Sequence, residues 1–183
     1  VVAAAGRPLA SQVAFRVAEL APEAALRALA ALQAATLLRS ASGSAAPTLE
    51  CVHDRVRESI VQSLEPSTFR AVHGRLAAAL AADAGADPED LAVHFAAAGQ
   101  IEEARELLIT AARRAAAALA LDRAAALYRR AIASLAASDP REGSLRLELG
   151  NALAHAGVGS EAAAEYLAVA RAKEGPERIA LQR

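Results

Sequence analysis

The chain has 183 residues, a formal net charge of −1 and a single cysteine, Cys51. One cysteine excludes an internal disulfide framework, and near-neutral charge argues against strong nonspecific binding to nucleic acid or acidic membrane. No uninterrupted apolar run reaches the ~18–20 residues of a membrane span. Hydrophobic residues make up 55% of the chain but aromatics only 3%, with no Met or Trp, so alanine supplies much of the apolar share. Alanine is the best helix former and lets helices approach closely. Thin layers of stacked helices suit this composition better than a thick sheet-based interior. The opening Val1-Val2-Ala3-Ala4 reads like the inside of a helix, so the chain is expected to be a piece of a longer, cytoplasmic protein.

In chain order, Gly6-Arg7-Pro8 punctuates a first helix. Leu9, Val13, Val17 and Leu20 share one face at helical spacing, and Ala21-Pro22 ends that helix. Pro22 suits a helix start, where its missing N–H costs nothing. Leu26, Leu29, Leu32 and Leu37 stripe a third helix. The turn-rich run from Ser40 to Pro47 then separates Leu37-Leu38 from Thr48-Leu49-Glu50-Cys51-Val52. The two flanks are expected to pair as a short hairpin, with Leu49 and Cys51 on one face. Asp54 is expected to cap the next helix, along which Val56, Ile60 and Leu64 recur. Three helices, a hairpin and a helix make a winged-helix-like order over residues 1–64.

Residues 65–183 read as helices throughout. Phe69, Val72, Leu76 and Leu80 stripe the first, closed by Gly85-Ala86-Asp87-Pro88. A short helix ends at Gly99, and a long one runs from Ile101 to about Leu121, turned at Asp122. Later stops are expected at Ser138-Asp139-Pro140, at Gly157 and Gly159, and at Gly175-Pro176, with one more helix beginning in Glu177–Arg183. Three places repeat a turn, then alanine, then a bulky residue four positions on: Gly99…Ala104…Leu108, Leu121-Asp122…Ala124…Tyr128 and Gly157…Ala162…Tyr166. Leu149-Gly150…Leu153…Ala162…Tyr166 fits the tetratricopeptide pattern best, whose period is ~34 residues. The expected fold is therefore all-α: a small winged-helix unit with a hairpin, then a tetratricopeptide-like α-α superhelix, incomplete at its end.

Four segments together resemble a known family. Val52-His53-Asp54-Arg55-Val56-Arg57-Glu58 is similar to a "Phe-x-His-Asp-x-Ile-Arg-Glu" motif, and Arg70…His73-Gly74-Arg75-Leu76-Ala77…Leu80 to an "Arg-x-x-Leu-His-x-x-Ile-Ala" helix. Leu91-Ala92-Val93-His94-Phe95-Ala96-Ala97-Ala98-Gly99 resembles "Leu-Ala-x-His-Phe-x-x-Ala-Gly", continued by Asp122-Arg123-Ala124-Ala125…Leu127-Tyr128-Arg129-Arg130-Ala131. In this order they resemble bacterial signalling ATPases of the STAND class, over roughly Gly6 to Ile132. The resemblance implies an AAA-type ATPase module preceding a winged helix and tetratricopeptide-like repeats, often with a serine/threonine protein kinase domain upstream. It also implies that His53 contacts the diphosphate of bound ADP in the full-length parent, with Val52 standing where the related element has Met.

The candidate chemistry is sparse. His53 is the one candidate nucleotide contact, an imidazole able to donate a hydrogen bond to phosphate; alone, the chain is expected to bind neither ATP nor ADP. His73, His94 and His155 lie far apart in sequence, without the spacing of a helical zinc site, and read as structural. Cys51 reads as a strand residue without a catalytic partner. Glu102-Glu103 and Glu161…Glu165 read as solvated helix faces. No G-x-x-x-x-G-K-[ST] loop occurs. A DNA-reading helix would need base-directed arginines or amides; the third helix offers Arg27, Gln33 and Arg39 beside Glu23 in an alanine- and leucine-rich surface, which argues against it. The expected function is non-catalytic: a regulatory, protein-interaction scaffold that docks a protein partner along its repeats and meets the adjacent ATPase module. The alternatives are an accessory region of a serine/threonine protein kinase or of a LuxR/MalT-like transcription regulator.

Overall fold

The computed structural model describes residues 1–41, 47–83 and 85–180, with side chains described as far as residue 172. The turn expected within 42–46 and the last residues of the expected final helix, 181–183, lie outside the described residues. The chain is mostly helical, with one small sheet near its beginning. The elements are α1 (Val2–Ala5), β1 (Leu9–Ala10), α2 (Ser11–Ala18), α3 (Pro22–Ala34), β2 (Leu38–Ala41), β3 (Thr48–Cys51), α4 (Asp54–Gln62), α5 (Pro66–Ala81), α6 (Pro88–Ala97), α7 (Ile101–Ala117), α8 (Leu121–Ala133), α9 (Glu142–His155) and α10 (Gly159–Ala180). Contacts group them into two compact units, residues 1–86 with 93–100, and residues 87–92 with 101–183. The boundary expected after residue 64 falls inside the first unit, because α5 packs on α1 and α2.

In the first unit the strands lie in the order β1-β3-β2, all antiparallel. β2 pairs Leu38 with Cys51 and Arg39 with Glu50, so the expected hairpin forms. Val52 N–H donating to Leu37 C=O extends this ladder. β1 is a strand that periodicity missed: Leu9 pairs with Leu49 in the sheet and does not begin the helical stripe of Val13 and Val17. A two-residue strand carries no periodicity of its own; the free edge of β3 induces it. Leu9, Leu49, Val17, Val72 and Leu76 form the buried centre, where the sheet meets α2 and α5.

The stripe on α3 is largely unburied. Ala25 is buried, yet Leu26 is 58% exposed and Leu32 is exposed as well. α3 touches only α2 and β2 in any strength, so one side of its leucine face has no layer to cover it.

The second unit stacks α7, α8, α9 and α10 in sequence, each helix on the next. Its centre is built from small residues: Ala112, Ala124 and Ala131 are completely buried, with Leu127, Tyr128, Leu145, Leu149 and Leu153 between them. Short connections make neighbouring helices antiparallel. α6 contributes its first residues to this unit and its last to the other.

Helix ends follow a common scheme. Pro22 and Pro66 open α3 and α5, where proline loses no bond. Gly99, Leu119 and Gly157 close α6, α7 and α9 in the left-handed conformation, with φ of 87, 58 and 82°. Each end carries the paired bonds of a Schellman motif, for example Ala120 N–H to Ala115 C=O and Leu119 N–H to Ala116 C=O. The turn expected at Asp122 is thus at Leu119, and Leu121 and Asp122 already belong to α8. α10 also runs past Gly175-Pro176, where a stop was expected; the proline removes one backbone bond without ending the helix.

Candidate functional site

His53 stands where the hairpin hands over to α4. Its backbone is extended, at φ −127° and ψ 122°, and its C=O accepts from Arg57 N–H at 3.0 Å. It is therefore the N-cap residue, through its main chain. Asp54, expected as the cap, is instead the first helical residue and makes no side-chain cap bond. Its carboxylate lies 3.6 Å from Arg57 Nε, in the first turn, where the helix dipole favours a negative charge. The His53 side chain is exposed. Cys51, two residues earlier on β3, is half-buried, and that burial pushes its thiol pKa up. A raised thiol is a poor nucleophile at neutral pH.

The residues weighed for DNA reading are engaged elsewhere. Arg27 faces Glu23 at 3.8 Å on the exposed side of α3. Gln33 donates from Nε2 to Ser40 Oγ at 2.8 Å, and Arg39 donates from Nε to Glu50 Oε1 at 2.6 Å across the sheet. The second of these is a cross-strand opposite-charge pair of the kind that stabilises a sheet face.

Beside them, within the first unit, lies an apolar cleft of about 250 Å³. Its walls come from α1, α2, α3, both long strands and α4, through residues such as Phe15, Leu29, Leu37, Leu49 and Val56, with Cys51 also on the wall. The exposed leucines Leu20 and Leu32, with Ile60, stand among its lining residues.

The sharpest polar arrangement joins two residues that the sequence keeps apart. His73 on α5 and His94 on α6 are 5% and 3% exposed. Their Nδ1 atoms are 3.0 Å apart and their ring centroids 5.1 Å. One ring therefore donates while the other, deprotonated at that nitrogen, accepts. The Phe69 ring lies 4.4 Å from His73, one helical turn earlier. Burial lowers the pKa of His73, and for His94 burial, then His73, then Arg7 lower it to about 4. Both rings are thus neutral at pH 7. The legible signal was that both histidines fall on apolar stripes; their mutual contact depends on how α6 lies on α5, which periodicity does not encode. His155 is exposed in the last turn of α9 and joins no such pair.

In the second unit the polar groups are laced together. Arg105 is 5% exposed and bonds Ser134 Oγ at 3.0 Å, the Ser134 carbonyl, and Glu102. Arg141 bridges Glu102 at 2.5 Å, Glu106 at 2.7 Å and Asp139 at 2.7 Å. Hydrogen bonds from Arg141 hold the Asp139 carboxyl down at about 2 and, with help from Arg105, keep Glu102 below its ordinary value. Glu148 on α9 accepts both nitrogens of Arg113 on α7, at 2.7 and 2.9 Å, and the Tyr128 hydroxyl of α8 at 2.8 Å. One carboxylate thereby ties three helices. Burial, then the bond to Glu148, pushes the Tyr128 pKa up. Glu161 pairs with Arg129, and Glu165 accepts from Arg146 at 2.8 Å. Of the acids expected to be solvated, Glu103 is exposed, and Glu102, Glu161 and Glu165 are paired with Arg141, Arg129 and Arg146 of other helices or of the connection before α9.

Among the described residues, no three or more His, Cys, Asp and Glu side chains stand where they could hold a metal ion. Among the described residues, no helix is long and apolar enough to cross a membrane. The geometry offers surfaces and an apolar cleft for binding, with many of the carboxylates paired to arginines. No family model matches the chain, and no curated protein and no solved structure matches it.

Proposed function

We propose that the chain is a non-catalytic regulatory and protein-interaction scaffold of a STAND-type signalling ATPase, with tetratricopeptide-like repeats in its second unit and a winged-helix-like first unit. One observation carries this reading most. The left-handed residues Gly99, Leu119 and Gly157 are each followed, five positions on, by a buried alanine, Ala104, Ala124 and Ala162. Nine positions on stands a large residue, Leu108, Tyr128 or Tyr166. A turn, a small contact residue and a bulky neighbour at constant spacing are what a helical repeat needs. The closest approach also fits: a Cβ at Gly150 would lie 2.6 Å from a Tyr166 ring carbon, so α9 and α10 touch where the repeat pattern places glycine against an aromatic. The order helix, strand, helix, helix, strand, strand, helix in α1 to α4 supports the winged-helix reading.

In this reading a protein partner docks along the repeat surface, and the neighbouring ATPase module is regulated through the first unit. His53, exposed at the start of α4, contacts the ADP diphosphate supplied by that module. Two measurements test it. Calorimetry of the chain alone with ADP is expected to give no binding heat; micromolar affinity would contradict the reading. In the full-length protein, His53→Ala is expected to speed ADP release several-fold, and an unchanged release rate removes the assigned role.

A further inference from the structure

We propose that His73 and His94 form an acid-released latch that holds residues 93–100, the end of α6 and the turn after it, on α5. The proposal stands on geometry. Both rings are buried, and their Nδ1 atoms meet at 3.0 Å. Phe69 flanks the pair on α5, and Gly74 of α5 lies beside Ala98, whose Cβ is at ordinary contact distance, 3.8 Å, from where a Cβ on that glycine would stand.

The bond needs one protonated and one unprotonated nitrogen. A first proton places a cation in a site that has lost its water. A second sets N–H against N–H, and the bond cannot survive. The charged groups around the pair act on it unequally. Arg7, from the turn between α1 and β1, disfavours a further positive charge on His94. On α5, Arg70 is exposed and Arg75 is paired with Glu19. On α6, Asp90 stands one turn before His94.

The sign follows from linkage. The open form has ordinary imidazoles, near 6.5, while in the closed form burial lowers both rings, His94 to about 4. Between those values the open form binds more protons, so closure weakens as pH falls through that window and is fully retained above it.

The test is amide hydrogen exchange of residues 93–100 in the intact chain, corrected for the intrinsic pH dependence of exchange. Between pH 7 and 5 the opening of this segment is expected to rise on the order of tenfold. The variant His73→Gln/His94→Gln keeps amide donors and acceptors but cannot titrate, and its opening should stay level. His155→Gln, at an exposed site, should respond like the parent chain. Imidazole nitrogen NMR of the unmodified chain gives a reading that needs no variant: at pH 6 the His94 ring should be neutral. Opening that ignores pH, an acid response that persists in the double Gln variant, or rings titrating near 6.5 would each overturn the latch.

Discussion

α3 and α8 have the same length and are both rich in alanine and leucine, yet they have opposite fates. α8 lies between α7 and α9 and buries Ala124, Ala125, Leu127, Tyr128 and Ala131. α3 has neighbours on one side only and buries just Ala25. Their residues are equally helical; what differs is the number of layers available. In the stacked helices small side chains remove the gap, and in the first unit large aliphatics on thinly supported elements leave a cleft of about 250 Å³. Helical periodicity thus says which face of a helix is apolar, and only the next element says whether that face is inside.

Three experiments would break or sharpen this contrast. The largest effect is expected from paired leucine truncations. Leu127→Ala, at 2% exposure, should cost about 3 kcal/mol through lost transfer energy and a residual cavity, while Leu26→Ala on α3 should cost less than about 0.5 kcal/mol. Urea denaturation of both variants checks it; equal losses would mean that α3 is covered in solution. Next, enlarging alanines should reverse in sign between the units. Ala124→Leu, at a fully buried contact, should lose roughly 1–3 kcal/mol to overpacking. Ala28→Leu, on the wall of the cleft, should be neutral or gain up to about 1 kcal/mol by filling space. The smallest effect concerns a turn. Leu119 is left-handed at φ 58° and 79% exposed, so Leu119→Gly relieves backbone strain at no packing cost. A gain of about 1 kcal/mol is expected, read as a rise in the thermal midpoint.

Much of the helical layout was readable from punctuation. Pro22, Pro66, Pro88, Gly99 and Gly157 mark element ends because proline and glycine have few other conformations to offer. The hairpin was readable from the turn-rich run between two β-prone flanks. Leu119 was missed because a leucine gives no compositional sign of a left-handed turn; the constant interval to Ala124 and Tyr128 was the available clue. Nothing in the sequence singles out Arg105, since its burial is set by Ser134 at the end of α8. The His73–His94 contact was illegible for a related reason: it joins residues whose separation along the chain carries no period.

The guanidinium of Arg105 has a consequence for how this architecture tolerates change in length. The interval from Ala124 to Ala162 exceeds the ~34-residue period of tetratricopeptide units, and the surplus lies in the connection between α8 and α9. Such a surplus would ordinarily be the natural place for insertions and deletions to accumulate. Here Arg105 grips the Ser134 carbonyl from inside, and Arg141 fastens the far end to Asp139, Glu102 and Glu106. The longer connection is thereby built into the wall of the stack, and splicing residues into it would pull a charge out of the interior.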